Sequence, residues 1–347
     1  MTAPSNGYAQ RVNTLLTSLL DKGYTKAIDP VLSSLSRDPR LVHALSVYNA
    51  EALRLEQAGQ TFTADNPAYL HLKDTIEQVM QRQTGKIDAA AESLQGQAIQ
   101  AGQTAARQLA LPGVTDQHLA TLGFQWNRPD TEAIARLLDY ANTPAWSKRL
   151  QDYGPNVSDA VNKIALNGVV NGYGPRDIAR SVTDAVDAIP RYRAEALVRT
   201  LQLQSYRRST ALNYAANADK IEYQIRIAAL DDRTCLACIA LNGTRLDVGE
   251  EVIDHWNGRC TAIPVIKGFA REVQSGEDWL NGISDTRQMK IMGEANYNAY
   301  QAGAVTLSDF VAHEHDATFG KMTIEASLKG ILGNDAKQYY ARNQKSN

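Results

Sequence analysis

All three cysteines of this 347-residue chain fall between positions 235 and 260, and a histidine lies among them. Thiols placed this closely constrain the fold, because a small, locally closed module must bring them to one point. The string is Cys235-x2-Cys238, sixteen residues, His255, four residues, Cys260. A disulfide framework would spread an even number of cysteines along a shorter, secreted chain. Three soft thiolates and one imidazole instead satisfy the four-coordination of zinc and leave no position open for a catalytic water. Cys235, Cys238, His255 and Cys260 are therefore expected to hold a structural Zn2+ that contributes much of the folding energy of its module.

Three other readings compete. The cysteines could be buried free thiols beside an unrelated histidine, but every cysteine in the chain falls in this one window. They could be a redox pair, but no thioredoxin-like βαβ pattern surrounds them. Asp254-His255 also resembles the Asp-His pair of His-Asn-His nucleases, where the histidine activates water. Those domains need a second Cys-x-x-Cys, whereas Cys260 is the last cysteine, and His313 and His315 come more than fifty residues after His255. Catalysis at His255 would also leave the zinc one ligand short.

Hydrophobic periodicity places this module behind a long helical region. Val12, Leu15, Leu16 and Leu19 share one helical face, as do Leu41, Leu45, Tyr48 and Ala52 after Asp38-Pro39. A long helix is predicted from Pro67, through Leu72, Ile76 and Val79, to the stop at Leu111-Pro112-Gly113. Its later stripe, Ile87, Ala91, Leu94, Ala98, Ala101 and Ala105, is small and demands a close neighbour. One further helix is predicted to stop at Pro190 and another to run from Tyr192 to Ala216. The period then changes to two: Ile221, Tyr223, Ile225 and Ile227 alternate with Glu222, Gln224 and Arg226 as in a half-buried strand. Asn242-Gly243 predicts a hairpin turn before a Thr244–Val248 strand, and Thr261–Ile266 is a third strand. The expected fold class is a mainly α N-terminal region followed by a small α+β zinc-stapled C-terminal domain. The expected divisions are a helical region at 1–170, a helical connector at 171–220, the zinc module at 221–315 and a polar tail at 316–347.

At a net charge of −2, nothing global drives the chain onto nucleic acid or an anionic surface. With no apolar run long enough to span a bilayer and no basic-then-apolar leader at the N-terminus, no membrane partner is expected. No small-molecule substrate and no catalytic centre are expected either. One local basic stretch offers Arg193, Arg207 and Arg208 as nucleic-acid contacts, although arginines on a helix are more often solvated or ion-paired. Asp231, Asp232 and Arg233 should orient the turn before Cys235 rather than act as acid and base. Trp256 is either a packing lid or an interface anchor. His313-Glu314-His315 sits in a polar stretch where two histidines at i, i+2 would not share a helical face.

The segment Ala229-Leu-Asp-Asp-Arg-Thr-Cys-Leu-Ala-Cys-Ile-Ala-Leu-Asn-Gly243 resembles the D-x-R-x-C-x-x-C-x-x-x-x-G stretch of the phage head-morphogenesis family, minor head proteins similar to protein F of phage Mu. His255-Trp-Asn-Gly-Arg-Cys-Thr261, with Pro264 after it, is similar to that family's H-P-x-C-R-C-T…P signature. Trp256 replaces its usual proline, and Gly258 stands where a first cysteine is common, which makes Cys260 the fourth ligand. The resemblance extends over residues between about 178 and 311, including Trp279-Leu280, Gln288, Gly293, Tyr300, Gly303 and Leu307. It implies a minor head protein made in the host cytoplasm and held in a few copies inside the phage head or procapsid near the portal, acting in head assembly or in DNA packaging and ejection. The implied partners are the portal protein, the major capsid protein or both, with packaged phage DNA nearby.

Overall fold

A computed structural model describes residues 37–61, 65–110, 125–138, 143–171, 173–269 and 271–340, with positions 14, 30, 31, 33 and 63. The predicted helical face at Val12–Leu19 and the stop at Leu111-Pro112-Gly113 lie outside the described residues. The chain forms two compact units, Leu20–Gly96 with Leu138–Gln202, and Met1–Leu19 with Gln97–Leu137 and Leu203–Asn347. Two of the boundaries between them, after Gly96 and after Gln202, fall inside long helices.

In the all-helical unit, α1 (Pro39–Gln57) starts where Asp38 caps the Arg40 N–H and Pro39 takes the first turn. Leu41, Ala44, Tyr48, Ala52 and Leu55 form its buried stripe. Leu72, Ile76, Val79, Ile87, Ala91 and Leu94 are buried along α2 (Pro67–Ala110), as their period predicts. The short α3 (Thr131–Leu138) precedes α4 (Pro144–Gln151) and α5 (Tyr153–Val170). The Trp146 indole is fully buried and donates to Asp88 at 2.7 Å. The next helix, α6 (Pro175–Ala215), does not stop at Pro190 but runs through it. Ile178 and Val182 before the proline, and Ala194, Leu197, Val198 and Leu201 after it, all stay buried. That continuous burial outweighs the roughly 3 kcal/mol cost of an interior proline. The Tyr153 hydroxyl donates to the Pro190 carbonyl at 2.6 Å.

In the second unit the later halves of α2 and α6 meet at Gly102. A Cβ there would stand 2.6 Å from the Tyr206 carbonyl oxygen, and the Ser209 hydroxyl donates to Ile99 O at 2.7 Å. This contact is the close neighbour that the small-residue stripe demanded.

Three antiparallel strands follow in the order β2-β1-β3: β1 (Ile221–Ile227), β2 (Arg245–Leu246) and β3 (Thr261–Ile266). Pairing is in register at Ile225↔Ile263 and Ile227↔Thr261. β1 differs from the half-buried reading, because Gln224 and Arg226 are as buried as its isoleucines. The loop after β2 covers them: Arg226 donates to Ile253 O at 2.7 Å, and Gln224 to the Asp247 and Glu250 carbonyls. Asn242-Gly243 follows the short helix α7 (Leu236–Ala240) instead of joining two strands, and the Thr244–Val248 strand shrinks to two residues. The cysteine knuckle winds that segment into a helical turn, leaving no first hairpin arm.

Helices α8 (Gly276–Asn281), α9 (Asp285–Met292) and α10 (Glu294–Gln301) restore the predicted helical period, with a 3-10 turn at Leu307–Phe310. Residues expected as a polar tail hold further structure. β4 (Val311–Asp316) pairs antiparallel with β5 (Gly320–Glu325), and α11 (Leu328–Leu332) and α12 (Lys337–Tyr340) follow. Phe319, Met322, Leu328 and Ala336 are buried. These few apolar residues each insert into a core built elsewhere, so they leave no periodic stripe to read. Among the described residues no helix is long and apolar enough to cross a membrane.

Candidate metal centre

The cluster begins with the turn that aims Cys235. Asp231 accepts from the Arg233 N–H and the Thr234 hydroxyl, both at 3.0 Å. Arg259 clamps the same carboxylate through two bonds of 2.6 and 2.7 Å, which holds it down at about 2. Asp232 points away to Arg287 and Lys290 on α9. Asp231 therefore orients the turn as expected, and Asp232 ties it to a helix.

Cys235 then caps α7, its sulfur accepting from the Cys238 N–H at 3.4 Å. The helix is wedged between two cores. Leu236 and Ile239 face one formed by Leu280, Met292, Leu307 and Phe310, while Cys238 joins Tyr214, Val252, Cys260 and Ala262 in the other. Packing on both sides fixes the direction of the thiols.

The returning loop brings the remaining donors. His255 Nδ1 lies 2.7 Å from the Trp256 carbonyl, a bond in which the ring N–H donates. That bond orients the ring so that Nε2 faces Cys235 Sγ, 3.4 Å away. In each of two donor sets, Cys235 with Cys238 and His255, and Cys238 with Asp254 and Cys260, the ligand atoms lie within 4.8 Å of one another. Cys238 belongs to both, so all four predicted ligands join one cluster, with Asp254 as a fifth donor. The three thiols are free of disulfides, and Cys238 and Cys260 are buried.

Electrostatics match the crowding. Cys238 and the neighbouring His255 pull the Cys235 thiol well below its ordinary value despite burial. The Cys238 thiol is pushed up by Cys235, Cys260 and its own burial. Burial disfavours a charged His255, but Cys235 and Asp254 prevail and raise it to about 9. Protons and thiols thus crowd a space with the donor chemistry of a divalent-metal site, and the residues present could hold such an ion.

The sequence reading placed Asp254 only in a nuclease-like pair and Arg226 on the polar face of β1, and neither at the donor cluster. The Asp254 carboxylate is fully buried, 3.6 Å from Arg207 and 3.5 Å from Arg226. Burial opposes its charge, and the two guanidinium groups overcome that and keep it below the usual range. Period two had placed Arg226 in solvent, so no signal for it existed. Asp254 did stand next to a predicted ligand.

The three arginines considered for nucleic acid separate. Arg207 is buried, donating to Gly258 O at 2.9 Å, so it does not offer a surface contact. Arg208 is held by Glu251 at 3.0 Å, and Arg193 is exposed. Trp256 stacks edge-on against buried Phe319 with ring centroids 5.0 Å apart, which makes it a packing residue within this chain. His313 and His315 lie on β4, where i and i+2 do share a face. Their cross-strand partners, Thr323 and Lys321, complete no metal set.

Searches of curated proteins and of solved structures returned no match. A family model does match, at residues 159–263, and its span contains all four predicted ligands together with Asp254, Arg207 and Arg226. The Trp279–Leu307 pattern lies beyond its end. Over residues 159–263, less than a third of its length, the chain is similar to the family described as Phage Mu protein F like protein.

Proposed function

We propose that this chain is a minor head protein of a tailed bacteriophage that acts structurally in head assembly beside the portal, with a Cys3His zinc site stapling its α+β module. The observation that carries this reading is the coincidence of the family match with the donor cluster at 235–260. Charge balance favours zinc held by three thiolates. Such a centre has one net negative charge and Asp254 adds another, while the buried Arg207 and Arg226 supply two compensating positive charges. The two nitrogens of His255 face the Trp256 carbonyl and Cys235, which supports reading that histidine as structural rather than catalytic.

In this reading the protein resides in the virion and contacts the portal protein, the major capsid protein or both. Any contact with packaged DNA falls to exposed residues such as Arg193, in possession of a free approach that Arg207 lacks. Metal analysis of the purified protein should find one zinc per chain, and the protein should cofractionate with purified heads and capture portal or major capsid protein. Absence from heads would overturn the assembly role. Metal-dependent DNA cleavage lost on His255→Ala, with the fold intact, would replace it with a nuclease.

A further inference from the structure

Gly258 stands where the family signature often has a cysteine, and the space its missing side chain leaves is filled. A Cβ at Gly258 would collide with the Asp254 carboxyl group, with Oδ1 2.6 Å away. From that position the carboxylate reaches the backbone of two ligands. Oδ2 accepts from the Cys260 N–H at 2.8 Å, and Oδ1 accepts from the His255 N–H at 3.0 Å. Oδ1 also lies 3.3 Å from Cys238 Sγ, which donates to it. One carboxylate therefore touches three of the four predicted ligands.

The groups behind it are equally committed. Arg226 reaches Oδ1 and also holds the Ile253 carbonyl, while Arg207 reaches Oδ2 and also holds the Gly258 carbonyl. The two arginines thus brace both ends of the loop that Asp254 fills. They come from β1 and α6, the rigid elements beneath it.

We propose that Asp254 is a positioning residue for the metal centre: seated in the gap left by Gly258, its carboxylate holds Cys260 and His255 through their backbone N–H groups, and Arg207 and Arg226 lock it there. This rests on the zinc reading above. Outer groups that orient ligands typically contribute 10–100-fold to metal affinity. This arrangement places Asp254 outside the ligand shell: its oxygens accept from the His255 and Cys260 N–H groups and from Arg226, with Arg207 ion-paired to it at 3.6 Å.

Cobalt(II) titration of the full chain, followed by competition with a chromophoric chelator, tests this. Wild type should show the intense sulfur-to-cobalt charge-transfer bands of three thiolates. Asp254→Asn places an N–H donor against a backbone N–H, so it should bind cobalt and zinc about 10–100-fold more weakly. At saturation its cobalt spectrum should match wild type. Gly258→Ala retains every polar group but displaces the carboxylate, and it should weaken binding in the same direction, so the test stands even where Asp254→Asn leaves the loop unfolded. Asp232→Asn, on the exposed side of the turn, should bind as wild type does.

Unchanged affinity in Asp254→Asn or in Gly258→Ala would overturn the proposal. A saturated Asp254→Asn spectrum with altered d–d bands would overturn it differently, by making Asp254 a ligand. A wild-type chain that binds no cobalt or zinc would instead bring down the zinc reading, and this inference with it.

Discussion

Asp231 shows how a short polar run sets the geometry of a thiol. It joins the Arg233 N–H, the Thr234 hydroxyl and the Arg259 guanidinium immediately before Cys235. Its side chain is about one-third exposed, so solvent screens part of the ion pair, and Asp231→Asn should cost about 1 kcal/mol at pH 7 in urea unfolding. The sign follows from the clamp, which holds the carboxyl at about 2, below its unfolded value. The stabilisation is present above pH 4 and is lost as pH falls toward 2, where mutant and wild type should converge. A gap that widened on acidification would contradict this origin. At this scale the clustering of the four candidate donors was legible from their spacing, and the orienting role of Asp231 from its place just before Cys235. Arg226 and Asp254 were not, because their roles exist only once the 247–260 loop folds over β1.

Between elements, backbone approach and aromatic packing decide stability. Gly102→Ala would improve helix propensity by roughly 1 kcal/mol, yet its methyl would press on the Tyr206 carbonyl of α6. Overpacking against backbone costs about 1–3 kcal/mol, so the net effect should be a lower melting temperature. A stabilised variant would show that the helices are free to part. The β4–β5 hairpin makes a comparable contact at the 247–260 loop and α7: Phe319 packs on Trp256, Thr323 donates to Ile253 O, and Glu325 accepts from the Leu236 N–H. Phe319→Ala should therefore cost about 3–4 kcal/mol and shift Trp256 emission to the red. A Trp256→Phe background, which removes that signal, assigns the shift. The hairpin was invisible in sequence because four of its twelve strand positions are charged or imidazole-bearing in β4 alone, and its buried residues are too few to set a period.

For the whole molecule, a metal staple and extended helical packing should fail separately. Cys235→Ser, or chelation of the wild type, should open residues 221–270 to protease and to hydrogen exchange. The helices around Leu41, Tyr48, Ile76 and Trp146 belong to a core without metal ligands and should keep their protection. Unchanged protease resistance across 221–270 would show that the thiols hold no structural ion.

The long helices, the β1 and β3 segments and the four clustered donors can be read without a fold, because each is written in local spacing: a 3.6 or 2.0 period, or a knuckle with a returning pair. That α6 continues through Pro190, that both faces of β1 are covered, that the last segment folds back as a hairpin, and that Asp254 occupies the gap at Gly258 emerge only in three dimensions. These depend on contacts between residues far apart in the chain, where burial and charge compensation outweigh local propensity.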